Sequence, residues 1–189
     1  MSTLMIITAS VRPGRKGPAI AKWIRSVAAR DPEWQIIDVD LKTLGLPMHD
    51  EAAHPATGTY ENQHTHEWSR LVDSADAFLV VTPEYNFSFP ASLKNALDYL
   101  HREWHYKPMA FVSYGGLAAG TRAVQMLKQV VTSLKMMPMY ESVNIPFFRN
   151  HLDEHGEFVP NESMQRSADA MLKELHKWAG PLAQIRKAA

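Results

Sequence analysis

Five short apolar runs alternate along the chain with five stretches whose apolar residues recur at helical spacing, and few architectures accept that order. The runs at 4–8, 34–39, 77–81, 109–113 and 139–145 read as strands. Several are apolar without a break, as Phe78-Leu79-Val80-Val81 shows, which suits a parallel sheet covered on both faces. The first helical set is Ile20, Trp23, Ile24 and Val27, and the second is Trp68, Leu71, Val72 and Ala75. The third is Leu93, Ala96, Leu97 and Leu100, and the fourth is Ala123, Leu127, Val130, Val131 and Leu134. Met164, Ala168, Met171, Leu172 and Leu175 form the last. Strict alternation predicts right-handed βαβ units in an α/β, doubly wound sheet. Pro18 and Pro90 are expected at first helical positions. The connections 45–61 and 146–161 are long enough to be functional or mobile.

At 189 residues the chain suits one domain spanning 1–189. It holds no run of eighteen apolar residues, so no membrane span is expected. The first residues enter a strand-like run with no basic leader, which leaves the cytoplasm as the expected location. With no cysteine, thiolate nucleophiles, thiolate metal sites and disulfides are excluded. Net charge is zero and no Lys/Arg block interleaves with aromatics, so no nucleic-acid partner is expected. Arg12, Arg15 and Lys16 fall in one loop, enough positive charge for one phosphate. Met136, Met137 and Met139 read as fillers of core gaps.

In a doubly wound sheet, ligands bind beyond the carboxyl ends of the strands, where strand order reverses. For the order 2-1-3-4-5 that point lies between the first and third strands. The loops after the first, third and fourth strands should then be unusual, and they are. The first, from Thr8 to Ala19, is small and basic and opens a helix, where backbone amides and the dipole favour an anion. Ser10 offers a hydroxyl there and Arg12 a guanidinium. It carries neither a Walker triplet nor G-x-G-x-x-G. The second, Thr82-Pro83-Glu84-Tyr85-Asn86-Phe87-Ser88-Phe89-Pro90, sets a polar–aromatic stretch between prolines, and Tyr85 offers a ring face. Phe87 and Phe89 read as packing or interface residues, and Glu84 as a surface carboxylate or helix-cap partner. The third, Ser113-Tyr114-Gly115-Gly116-Leu117-Ala118-Ala119-Gly120, permits close backbone approach to a ligand.

Ser10-Val11-Arg12, Pro83-Glu84-Tyr85-Asn86, Leu93-Lys94-Asn95-Ala96-Leu97-Asp98 and Gly115-Gly116 together resemble the NAD(P)H-dependent FMN reductases, over about residues 6–134. The resemblance implies a flavodoxin-like five-stranded parallel sheet and an FMN-dependent enzyme. Hydride would pass from NADPH (or NADH) as cosubstrate through FMN to a flavin, quinone or similar small acceptor. It implies FMN phosphate at Ser10, Arg12, Gly17, Pro18 and Ala19. Flavin-ring contacts are implied at Pro83, Glu84, Tyr85, Asn86, Ser113, Tyr114, Gly115 and Gly116. A homodimer or a dimer of dimers is also implied. The first loop departs from the family by opening with Ala9-Ser10 and starting its helix with Gly17-Pro18, which removes one hydroxyl donor.

Hydride transfer to a flavin asks little of side chains, so no catalytic acid or base is named. Backbone amides of the 113–116 turn are expected to stabilise charge on the ring. The alternative is a non-enzymatic electron carrier of the flavodoxin type, but such carriers are acidic and bear a Thr-x-Thr-Gly-x-Thr loop. A metal-dependent hydrolase would draw on His49, Asp50, His54, His64 and His66, which read instead as solvated side chains, and no metal is expected. No G-x-S-x-G elbow supports a serine hydrolase. An expected helix at 92–104 and its flanking aromatics, Tyr99, His101, Trp104 and Tyr106, are assigned to the interface of a homo-oligomer, expected to be a dimer.

Overall fold

Every residue of one strand, Ala77–Pro83, is buried, as a continuous apolar run requires. In the computed structural model, which describes residues 1–188, this strand is β3 and lies at the centre of a five-stranded sheet. β1 (Ser2–Thr8) and β2 (Trp34–Asp40) lie on one side, β4 (Pro108–Tyr114) and β5 (Met137–Ile145) on the other. All pairings are parallel and the order is β2-β1-β3-β4-β5, as in flavodoxin-like folds. Each strand extends the apolar run that announced it by one or two residues. A register shift interrupts the β4–β5 ladder between Met109 and Phe111.

The helices are α1 (Gly17–Ala28), α2 (Leu41–Leu44), α3 (Gln63–Ser74), α4 (Ala91–Asp98), α5 (Thr121–Ser133) and α6 (Glu162–Ala188). Successive residues of each strand face opposite sides, so the sheet builds two cores. Leu4, Ile6, Leu79 and Val81 meet α1 and α6 through Ile20, Ile24, Ala168 and Leu175. Met5, Ile7, Phe78 and Val80 meet α3, α4 and α5 through Trp68, Leu97 and Leu127.

Four expectations need correction. The helix expected at 92–104 ends at Asp98 and a short 3-10 turn, Arg102–Trp104, follows. Tyr99 and Trp104 are fully buried within the chain, so they cannot form an interface core. The Trp104 ring lies 4.9 Å from Phe78 and 5.9 Å from Trp68, and its indole N–H donates to Leu97 O. Pro90 is the N-cap of α4 rather than its first residue, and Pro18 follows Gly17 into α1. Met136 and Met139 are buried, but Met137 is exposed at the start of the edge strand β5.

The connection 45–61 is tied down rather than loose. Asn95 accepts from the His49 amide and donates to Pro47 O, both from α4. The Tyr99 hydroxyl donates to Asp50 Oδ1 at 2.9 Å, and burial with that carboxylate pushes its pKa up to about 12. Glu51 accepts from the amides of Glu61 and Asn62 and so closes the loop on α3.

Candidate functional site

The carboxyl ends of β1, β3 and β4 bring the three unusual loops together around one cleft of about 170 Å³. Its walls are Arg12, Arg15, Lys16, Pro83, Glu84, Tyr85, Tyr114, Gly115, Gly116 and Phe148. Of the residues implied by resemblance, Arg12, Pro83, Glu84, Tyr85, Tyr114, Gly115 and Gly116 therefore line it. Ser10, Gly17 and Ser113 are buried just behind it, Pro18 and Ala19 open α1, and Asn86 is exposed on the rim.

The start of α1 supplies anion chemistry. No side chain caps this helix, and Pro18 has no N–H to satisfy. The amides of Gly17 and Ala19 have no partner among the described residues and sit at the positive end of the helix dipole. Gly17 is required by close packing: a Cβ there would fall 2.6 Å from Ser10 Oγ and 2.9 Å from the Tyr114 hydroxyl. Ser10 is fully buried, and the Tyr114 hydroxyl donates to its Oγ at 3.2 Å. The hydroxyl expected to face a phosphate is thus covered. Burial raises the Tyr114 pKa to about 12, so its proton stays on the oxygen at neutral pH.

The basic cluster also divides. Arg15 donates both of its terminal nitrogens to the Asp40 carboxylate and one to Ser10 O, which fixes the loop to the end of β2. Burial opposes ionisation of Asp40, but the Arg15 and Lys42 hydrogen bonds win and hold its carboxyl below the usual range. Arg15 is therefore spent on structure. Arg12 is exposed and Lys16 half-buried, and these two carry the free charge of the loop.

The other end of the cleft is built from strained turns. Tyr85 and Ser88 exchange two backbone hydrogen bonds, so Asn86 and Phe87 form a two-residue hairpin with φ of 50° and 68°. Ala119, at φ 54°, and Phe147, at φ 45°, flank the same cleft. Non-glycine residues in this region persist only where surrounding structure holds them, and they gather at binding sites. Within the third loop the Gly115 amide is committed to Ile145 O, which removes it from the expected charge-stabilising set. The Gly116 amide has no partner among the described residues, and a Cβ there would meet open space.

Side chains complete the rim. The Glu84 side chain is only 8% exposed and accepts from the Arg122 amide and guanidinium, so it caps α5 rather than lying on the surface. Phe89 packs against the core, whereas Phe87 is 65% exposed, so of its two readings, packing or interface, core packing does not apply to it. Phe148 was not foreseen. It reaches the cleft because the amides of Phe147 and Phe148 bond back to Gly116 O and Gly115 O, and its ring lies 5.2 Å from Tyr114. The signal was present, since the fifth strand also ends on this side of the sheet.

The histidines weighed for a metal site are dispersed over structural tasks. His64 pairs with Asp50, His49 stacks on Tyr99, and His54 caps a short turn. Among the described residues no group of three or more His, Asp or Glu side chains is placed to hold a metal. No described helix is long and apolar enough to cross a membrane.

Residues 2–150, which include all three loops and Phe148, match the model of a family described as NADPH-dependent FMN reductase. The chain is 41% identical to an NAD(P)H-dependent FMN reductase of Schizosaccharomyces pombe over 76% of its own length and 73% of the relative's. It is 37% identical to another from Saccharomyces cerevisiae, over 69% and 74%. An NADPH:quinone oxidoreductase of Arabidopsis thaliana is 31% identical over 75% and 73%. Among solved structures, the flavoenzyme NAD(P)H:(acceptor) oxidoreductase of Paracoccus denitrificans superposes with a TM-score of 0.74. That likeness spans 94% of this chain and 99% of the other at 20% identity, and it concerns the fold.

Proposed function

The chain belongs to the NADPH-dependent FMN reductase family, and from that premise we propose that FMN lies across the cleft with its phosphate at the start of α1. The protein is an oxidoreductase with FMN as cofactor and NAD(P)H as cosubstrate. One observation supports the placement: Arg12 and Lys16, which lead into the start of α1 where the amides of Gly17 and Ala19 have no partner among the described residues, line the same cleft as Pro83, Glu84, Tyr85, Tyr114, Gly115 and Gly116.

FMN held there would supply the two-electron redox chemistry that links nicotinamide to the acceptor. The chain orients and tunes. Arg12, Lys16 and the amides of Gly17 and Ala19 hold the phosphate, with Pro18 fixing the turn and Ser10 supporting it from beneath. Pro83, Glu84, Tyr85 and Asn86 would offer the ring backbone groups and one aromatic face, and Ser113, Tyr114 and Gly115 would complete its contacts. The Gly116 amide, without a partner among the described residues, would be available to stabilise negative charge on the reduced ring at no reorganisation cost. No side chain acts as acid or base.

The acceptor is a small molecule, a flavin, quinone or similar, as the open cleft and the quinone-reducing relatives support. The protein works as a homo-oligomer, a dimer or a dimer of dimers, formed by one domain spanning 1–189. A groove of about 340 Å³ supports this, with Val11, Met48 and Ala91 exposed beside the phosphate loop. The cytoplasm, where reduced nicotinamide is supplied, is its location.

Purified protein reconstituted with FMN should be yellow and should bleach on addition of NADPH, faster than free FMN does. No change in FMN fluorescence on adding the apoprotein would overturn the placement.

A further inference from the structure

Glu84 is the one acidic side chain lining the cleft. Its carboxylate is nearly buried, beside the turns where the flavin ring would rest. Two-electron reduction leaves negative charge on that ring, and an uncompensated carboxylate at its edge would oppose it. Glu84 is not uncompensated. Arg122 donates Nε to Oε1 at 2.6 Å, places Nη2 at 2.5 Å from the same oxygen, and gives its amide to Oε2 at 3.2 Å.

Arg122 is itself held. Its guanidinium carbon sits 4.0 Å from the centroid of Phe87, a ring that is 65% exposed on a residue at φ 68°. A bulky residue is strained in that backbone region. Phe87 gains no core burial in return, and its ring stacks on the guanidinium instead. The hairpin after β3 and the first turn of α5 are thereby interlocked through Glu84, Phe87 and Arg122.

Resting on the FMN reading above, we infer that Arg122, seated by Phe87, is a positioning residue that sets the reduction potential of bound FMN by neutralising Glu84. Three variants separate this from a merely structural role. Arg122→Gln keeps hydrogen-bonding capacity and removes the charge. The affinity for reduced relative to oxidised FMN should fall about tenfold, a shift of about 30 mV to more negative potential for a two-electron couple. Glu84→Gln keeps the cap on α5 and removes the opposing charge, so the potential should rise by a similar amount. The double variant should return close to the wild-type value. A structural role predicts neither opposite signs nor restoration.

The potentials are read by spectroscopic titration against a dye of known potential, and FMN affinity is measured separately by fluorescence on each variant. Failure of the wild-type protein to bind FMN would overturn the FMN placement itself. FMN bound by every variant, with both single substitutions moving the potential the same way or not at all, would overturn the inference alone. Should Arg122→Gln fail to fold, Arg122→Lys retains the charge. Paired with Glu84→Gln, it must still show the wild-type potential for Lys and the raised potential for Gln, or the inference fails.

Discussion

Arg12 and Arg15 belong to one loop and have opposite duties. Arg15 is locked by Asp40 and Ser10 O, whereas Arg12 remains exposed. Arg12→Ala should weaken FMN binding by about 1.5–3 kcal/mol, the range for a charge-assisted hydrogen bond, with the unfolding midpoint of the apoprotein unchanged. Arg15→Ala should instead lower stability by about 1–3 kcal/mol by leaving Asp40 without its partner. Fluorescence titration and chemical denaturation on both variants check the division, and a swap of the two phenotypes would refute it. The sequence shows three cations in a row of small residues and says nothing of which is spent. The partner, Asp40, lies at the end of β2 and becomes a neighbour only when β2 pairs with β1. The same limit hid the burial of Ser10, since its cover, Tyr114, arrives from β4.

Among the elements, strands were the most legible, because an all-parallel sheet makes them apolar on both faces and leaves a continuous run to read. The expectation of a helix over 92–104 fails because Tyr99, Leu100 and Trp104 continue an apolar pattern past the end of α4 at Asp98. Aromatic residues past a helix end look like surplus surface in one dimension. In three dimensions Trp104 fills the space between Phe78 and Trp68, and Tyr99 holds the 45–61 connection. Tyr99→Phe removes the hydroxyl that bonds Pro47 O and Asp50 and should cost about 1–2 kcal/mol. Amide exchange should accelerate in residues 46–51 and stay unchanged in β3. Equal acceleration in both would show that the hydroxyl supports the core rather than the loop.

Over the whole molecule, one buried charge gives stability a pH dependence. Lys107 is fully buried and donates to Val72 O and Asp73 O at the end of α3. Burial lowers its pKa to about 8 from the ordinary 10.5. Between those values the unfolded chain holds the proton and the folded chain does not, so stability should rise with pH across that window. Tyr60, Tyr99 and Tyr114 have raised values and act in the opposite sense above pH about 10. The difference between wild type and Lys107→Met in denaturant midpoint isolates the lysine. It should change between pH about 8 and about 10 and be flat below that. The same global view governs kinetics. On the proposed placement three loops of one sheet serve FMN, and the described residues carry no second nucleotide fold, so nicotinamide and acceptor are expected to use one flavin face in turn. Double-reciprocal plots over a grid of NADPH and quinone concentrations should be parallel, and intersecting lines would show both bound together.

The cleft draws its walls from Arg12 to Phe148, so no fragment of the chain owns it. A ligand seated there has no foothold on the unfolded polypeptide and acts as a thermodynamic ballast on the entire fold. At a hundredfold excess over its dissociation constant that linkage is worth about 2.7 kcal/mol, comparable with a sizeable part of a domain's net stability. Cells short of riboflavin would then hold less of this protein as well as less of its activity, because the empty chain opens more often and is cleared sooner. Vitamin supply would thus reach abundance through folding itself.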